Sequence, residues 1–186
     1  KAMVYLNNEY IASHSYGYSS FFVDLKKYLR SGKNALKVVA VNQELASRWY
    51  PGSGIYRDVN LWQGGKQYFV PDGLRLTTTA AQGNHASVTV EYEMVNTEEA
   101  DQEVNVTLEI RDGVQVIVTK MVHHTLKEKE IGQMALELNP VHLWTPDDPH
   151  LLTVSLTMAS QDGFIRDHYT ETVGIRHLNV SAEKGL

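Results

Sequence analysis

Apolar and polar side chains alternate strictly through much of the chain beyond residue 66. Across Val104–Arg111, the residues Val104, Val106, Leu108 and Ile110 fall on one side. Asn105, Thr107, Glu109 and Arg111 fall on the other. The same period of two recurs in Val88/Val90/Tyr92/Met94, in Met134/Leu136/Leu138 and in Leu152/Val154/Leu156/Met158. Successive strand residues point to opposite faces, so each run predicts a strand with one wet and one buried face. Asp112-Gly113 and Gln161-Asp162-Gly163 supply the turn chemistry between them. About seven strands with turns at this spacing predict an immunoglobulin-like β-sandwich over residues 70–181.

Residues 1–62 carry shorter patterns. Ala2–Leu6 and Glu9–His14 are predicted strands joined at Asn7-Asn8, two residues that tolerate left-handed turn geometry. Phe21–Leu25 is a third predicted strand. The polar stretch 26–34 has room for one helical turn, and Ala35–Asn42 is a Val-rich strand. Tyr56–Trp62 closes the segment as an alternating strand. These are few strands for a closed sandwich. No stretch alternates helix with strand, so the chain reads as all-β.

Charge divides the chain where the pattern changes. Residues 1–62 carry a net charge of +4 and residues 63–186 a net charge of −9. The change falls at Gln63-Gly64-Gly65-Lys66, which places a linker at 63–69 and leaves 182–186 as the start of a further link. The overall charge of −5 argues against a nucleic-acid partner. No apolar run is long enough to cross a bilayer, so no membrane partner is expected. Cysteine is absent, which removes disulfides and thiolate metal sites without fixing a compartment. The first residue is not Met and sits in a predicted strand, so the chain is expected to be a piece of a longer protein.

The stretch richest in candidate chemistry is Ser47–Leu61. It opens on Arg48-Trp49-Tyr50 and folds sharply through Pro51-Gly52-Ser53-Gly54 before entering the last predicted strand. A flat ring that can lie on a sugar face, next to a fork of donors for hydroxyls, suits carbohydrate. The alternative is that Trp49 and Tyr50 plug the end of a core. Other groups offer less. His123 and His124 are adjacent, so on a strand they face opposite ways and cannot share one ion. Asp147-Asp148 lies between prolines and reads as a solvated turn, and Lys127-Glu128-Lys129-Glu130 as a solvated loop. Asn105-Val106-Thr107 and Asn179-Val180-Ser181 fit a glycosylation sequon short enough to arise by chance.

Arg48–Leu61, spelled RWYPGSGIYRDVNL, resembles the loop and strand that close the sugar-binding domain of glycoside hydrolase family 2. Ala2–Asn8 resembles the A-x-V-Y-L-N-G hairpin of that family, with Asn8 where Gly is usual. His14–Phe21 resembles its H-x-G-G-Y-x-x-F stretch, Leu143–Leu151 its L-W-S-P-x-x-P-x-L, and Val173–Arg176 its G-x-R. The five matches stand in register over nearly the whole chain.

The resemblance implies that residues 1–62 are the C-terminal half of a sugar-binding jelly roll and that the following domain is immunoglobulin-like. It implies a bacterial parent, β-galactosidase-like, that hydrolyses terminal β-linked sugars with retention. Retention needs two carboxylates about 5 Å apart. In the family both are Glu on a (β/α)₈ barrel, and this chain has no barrel pattern. The mimic Asn8-Glu9 sits in a hairpin, so no catalytic residue is expected here and the chain alone is expected to be inactive. Many relatives place an acidic residue near the position of Arg48, where it contacts the sugar or a metal. Ser47-Arg48 stands here instead, so no metal or cofactor is expected, and Arg48 and Trp49 are the candidate substrate-binding residues. His14 and Tyr18 are weaker candidates, with Tyr18 expected in the core. The partners implied are a carbohydrate, the parent's own catalytic barrel and a second copy in a homo-oligomer. The rival reading is a free-standing carbohydrate-binding or adhesive β-sandwich.

Overall fold

A computed structural model describes residues 1–42 and 52–183. The chain forms two compact units, Lys1–Leu61 and Trp62–Leu186. The fold is all-β, and the described residues contain ten strands and no helix.

The first unit is built on one antiparallel sheet of β1 (Ala2–Leu6), β2 (Glu9–His14) and β3 (Leu36–Ala40), in the order β2-β1-β3. Asn7 and Asn8 take φ of 53° and 68°, the left-handed geometry that a tight two-residue hairpin needs. Asn7 does a second job. Its Nδ2 donates to Asn34 Oδ1 at 2.9 Å and its Oδ1 accepts from the Ala35 N–H at 3.0 Å, which seats the entry to β3 beside the hairpin. Across the sheet Val4 lies opposite both Ala12 and Val38, and Leu6 opposite Leu36 on one side and Glu9 on the other, so the apolar face is centred on Val4. Only Val4 and Leu6 are buried hydrophobics among the described residues of this unit.

Two expected strands are not there. Residues 21–25 are irregular and end in a turn in which the Tyr28 and Leu29 N–H groups donate to the Leu25 carbonyl, at 2.9 and 3.1 Å. Residues 52–62 form no ladder either, and Ile55, Tyr56, Val59 and Leu61 are exposed. Alternation makes a strand only where a sheet edge offers backbone partners and a core offers burial, and among the described residues neither run finds them.

The second unit is a two-sheet sandwich. One sheet holds β4 (Gln67–Gln82), β5 (His85–Asn96) and β8 (Lys129–Leu138) in the order β4-β5-β8. The other holds β6 (Gln102–Asp112), β7 (Gln115–Leu126), β9 (Leu152–Ser160) and β10 (Ile165–Val173) in the order β10-β9-β6-β7. All neighbours are antiparallel. First, second and fifth strands face third, fourth, sixth and seventh, an immunoglobulin-like arrangement with its fourth strand on the larger sheet. The predicted alternation becomes the core. Val88, Val90, Tyr92 and Met94 from β5 meet Val104, Val106, Leu108 and Ile110 from β6, Met134 and Leu138 from β8, and Leu152, Val154, Leu156 and Met158 from β9. Each such side chain taken from water contributes about 1.5–3 kcal/mol before the cost of ordering it.

The unit starts earlier than the pattern suggested. Gln67 and Phe69, within the stretch read as linker, already belong to β4, and both are buried. Gln67 is a polar residue at an inward position, made tolerable because its Nε2 donates to Asn96 Oδ1 at 2.8 Å and Glu98 Oε2 at 3.0 Å. β4 is interrupted at Val70-Pro71-Asp72-Gly73, where its register against β5 jumps between Phe69 and Leu74. Asp72 takes φ of 57°, and a Cβ on Gly73 would stand 2.7 Å from the Val70 carbonyl. β10 pins this bulge with three same-face residues. Asp167 Oδ2 accepts from the Phe69 N–H at 2.7 Å. Tyr169 Oη accepts from the Asp72 N–H at 3.3 Å and donates to Glu171 Oε2 at 3.0 Å.

Candidate functional site

Arg48 and Trp49 lie outside the described residues. The chain that follows them is described from Gly52. Gly54 has φ of 150°, a conformation that suits glycine, and two residues on the Tyr56 hydroxyl donates to the Gly17 carbonyl at 3.2 Å. The Arg57 guanidinium lies 5.4 Å from the Tyr56 ring centroid. The segment leaving the candidate loop is thus tied to the loop that follows β2.

That second loop is fixed at its base. The His14 ring stacks on Phe21 at 4.7 Å with only 8° between planes, and His14 Nε2 bonds Ser19 Oγ at 2.9 Å. Between these anchors Tyr16 and Tyr18 stand edge to face, 5.7 Å apart, and are 63% and 71% exposed. Tyr18 was expected in a core and is not in one. The two tyrosines lie in the loop after β2 rather than on the apolar face of the sheet.

In the second unit, two motifs singled out in the sequence are in direct contact. The Trp144 N–H donates to the Ile175 carbonyl at 2.8 Å, and the Arg176 guanidinium lies 5.0 Å from the Trp144 ring centroid. Gly174 makes the approach possible, since a Cβ there would fall 2.7 Å from the Trp144 ring. Asp148 is exposed, as a solvated turn requires, and its Oδ2 pairs with His142 Nε2 at 2.6 Å. Lys129, expected in a loop, begins β8 and pairs with Glu93 at 2.7 Å.

The histidines separate as the strand period demands. His123 points outward to Glu103 and Asn105, at 2.5 and 3.1 Å, while His124 turns inward and shares a 2.8 Å hydrogen bond with the Tyr92 hydroxyl. Burial pushes Tyr92 up to about 12 and holds His124 below the ordinary imidazole range, the latter offset in part by Glu130. Tyr169 is likewise pushed up to about 12, by burial first and by its bond to Glu171 second. Tyr92, His124 and Tyr169 all serve the sandwich, the first two by their mutual bond and the third at the β4 bulge. No group of three or more metal-ligating side chains is found among the described residues.

Residues 68–176 match the family described as Glycosyl hydrolases family 2. The chain belongs to that family. It is 32% identical over 188 residues to the β-galactosidase BoGH2A of Bacteroides ovatus, a match covering 98% of this chain and 22% of that protein. A β-galactosidase of Clostridium acetobutylicum is 24% identical over 182 residues, covering 95% of this chain and 20% of its own. The crystal structure of a glycosyl hydrolase family 2 member from Bacteroides cellulosilyticus superposes with a TM-score of 0.88 at 32% identity, over 99% of this chain and 26% of that one. A Bacteroides uniformis β-glucuronidase superposes with a TM-score of 0.78 at 25% identity, over 96% and 23%. This family 2 chain therefore spans between 17% and 30% of the proteins it resembles. The matched region ends at Arg176, the residue whose guanidinium covers Trp144.

Proposed function

We propose that the chain is a non-catalytic part of a bacterial family 2 β-glycosidase, of β-galactosidase type, whose parent removes terminal β-linked sugars with retention. The observation that carries this reading is the coverage: 98% of this chain aligns with 22% of a β-galactosidase. The described residues are strands and loops, while a (β/α)₈ barrel needs eight strand–helix repeats. In this reading residues 1–62 are the C-terminal half of the sugar-binding jelly roll and 70–181 the immunoglobulin-like domain. Residues 182–186 begin the link to the barrel, which supplies the chemistry. Arg48 and Trp49 contact the sugar at the mouth of the barrel. The parent's partners are the carbohydrate and, through these β domains, a second copy of itself.

The test is kinetic. Loss of one charge-assisted hydrogen bond in Arg48→Ala, worth about 1.5–3 kcal/mol, lowers kcat/KM of the complete enzyme by roughly 10- to 150-fold. If the contact forms fully in the ground state, the loss appears in KM. Normal kinetics in a folded Arg48→Ala enzyme removes Arg48 from the site. This chain by itself is expected to leave a chromogenic β-galactoside intact.

A further inference from the structure

We infer that Lys120 guards the straight edge of the sandwich and keeps β8 from accepting a strand of a second copy of this chain. Among the described residues of the second unit, four strands stand at sheet edges: β4 and β8 in one sheet, β7 and β10 in the other. An edge strand offers a row of N–H and C=O groups to any strand that can lie beside it, and a bulge spoils that row. Three of these edges are spoiled. β4 breaks register at residues 70–73 and again at Thr79, β7 carries Ile117 as an extra residue, and β10 carries Arg166. β8 instead pairs with β5 from Lys129 to Leu138 with no shift.

An unbroken edge needs another protection, and Lys120 supplies it. Lys120 lies opposite Leu108 across the β6–β7 ladder, on the core-facing side of its strand. An inward-pointing charge on an edge strand is a known obstacle to pairing. The ammonium cannot remain among apolar side chains, so the stem runs out along the edge and Nζ donates to the Ala135 carbonyl of β8 at 2.9 Å. The bond crosses from one sheet to the other. In an antiparallel ladder a residue turns its N–H and C=O to the same side. A carbonyl reached from β7 therefore shows that Ala135 faces away from β5, and Gln133 and Glu137 with it. An incoming strand must displace the ammonium and leave a charge without its acceptor and part of its water.

The strand best suited to this edge is β8 itself. Two copies aligned antiparallel about Gln133 set Lys129 opposite Glu137 at both ends, and Ile131, which is 65% exposed, opposite Ala135. Opposite charges and apolar side chains then meet in the self-complementary arrangement that a two-fold pair requires. The contact that prevents this pairing lies wholly within the second unit.

The experiment measures strand addition directly. A fluorescein-labelled peptide with the sequence of residues 129–138 is titrated into the whole chain. Binding is read by fluorescence anisotropy and located by amide hydrogen exchange. Lys120→Met should bind the peptide at least about 10-fold more tightly than the unaltered chain, with new protection at Gln133, Ala135 and Glu137. Lys120→Arg should behave as the unaltered chain does, because a guanidinium donates to the same carbonyl. Lys120→Gln, uncharged and shorter, should match Lys120→Met and decides the matter if the methionine variant does not fold. Adding Ala135→Pro, which removes an outward N–H, should return the affinity to that of the unaltered chain. Equal affinity in the unguarded and unaltered chains, at the same urea midpoint, overturns the proposal. Tighter binding that survives Ala135→Pro, or that protects the amides of another strand, overturns it as well.

Discussion

Gly132→Ala tests how tightly the sandwich is specified. Gly132 on β8 lies opposite Tyr92 on β5, and the tyrosine ring folds over the glycine. A Cβ at 132 would meet the ring at Cε2 and Cζ closer than any real contact, and the hydroxyl at 2.7 Å. Tyr92 has nowhere easy to go. It is fully buried, Phe69 stands edge-on to it at 6.2 Å, and its hydroxyl is bonded to His124 on the other sheet. Overpacking of a filled core costs about 1–3 kcal/mol. A ring that tilts aside also breaks the bond to His124 and strands a buried hydroxyl, a further 1–3 kcal/mol or so. The expected total is about 2–6 kcal/mol, measured by urea unfolding as a lower midpoint with unchanged slope. The double variant Gly132→Ala/Tyr92→Leu should lose less than the sum of its two single changes, because removing the ring removes the clash. A single variant within about 0.5 kcal/mol of the parent, with the Tyr92–His124 bond intact, refutes the reasoning.

Other outcomes follow from the same structure. Burial keeps His124 neutral in the fold, so the unfolded chain takes up a proton first. Stability should then fall as pH drops from the ordinary imidazole value near 6.5 through the lowered folded value, and His124→Gln should flatten that part of the profile. At the alkaline end Tyr92 and Tyr169 have values raised from 10.0 to about 12. Their contribution is whole below pH 10.0 and is lost as pH rises through about 12, so absorbance at about 295 nm should show their ionisation only together with unfolding. Gly174→Ala should cost about 1–3 kcal/mol by displacing the Trp144 ring, and a near-neutral effect would show that the ring yields freely. In hydrogen exchange, β1–β3 should open well before β6, since among the described residues the first unit buries two hydrophobic side chains, Val4 and Leu6, whereas the second buries more than a dozen in its own core. Equal protection in a dilute monomer contradicts this.

What could be read from the sequence was what a two-residue period records. The inward faces of β5, β6, β8 and β9 were legible because Val88–Met94, Val104–Ile110, Met134–Leu138 and Leu152–Met158 keep an apolar residue at every second position. The start of β4 was hidden because its inward residue is Gln67, whose partners Asn96 and Glu98 are about thirty positions away. The clamping face of β10 was hidden for the same reason: Asp167, Tyr169 and Glu171 form a polar row that makes sense only against the β4 bulge. The non-strands at 21–25 and 56–62 show the converse, a pattern that among the described residues has no sheet edge to receive it. For the candidate site, spelling pointed to Arg48 and Trp49. The exposure of Tyr16 and Tyr18 carries no signature in the sequence, because a tyrosine two residues from another looks the same buried or bare.

The bulge in β4 bears on how the second unit reaches its fold. Beyond the bulge strand β4 carries Thr77-Thr78-Thr79-Ala80-Ala81, a run of small or β-branched side chains that could slide by two against β5 with little change in contacts. Asp72 in left-handed geometry and Gly73 with no room for a side chain fix one point on that strand. Asp167 and Tyr169 recognise the point only when it stands opposite them. A hairpin zipped in the wrong alignment would leave the Phe69 and Asp72 N–H groups without acceptors, and the error would announce itself as lost hydrogen bonds. The bulge thus works as a proofreading mark: it turns a misaligned edge strand, the usual seed of intermolecular pairing, into a state that reopens.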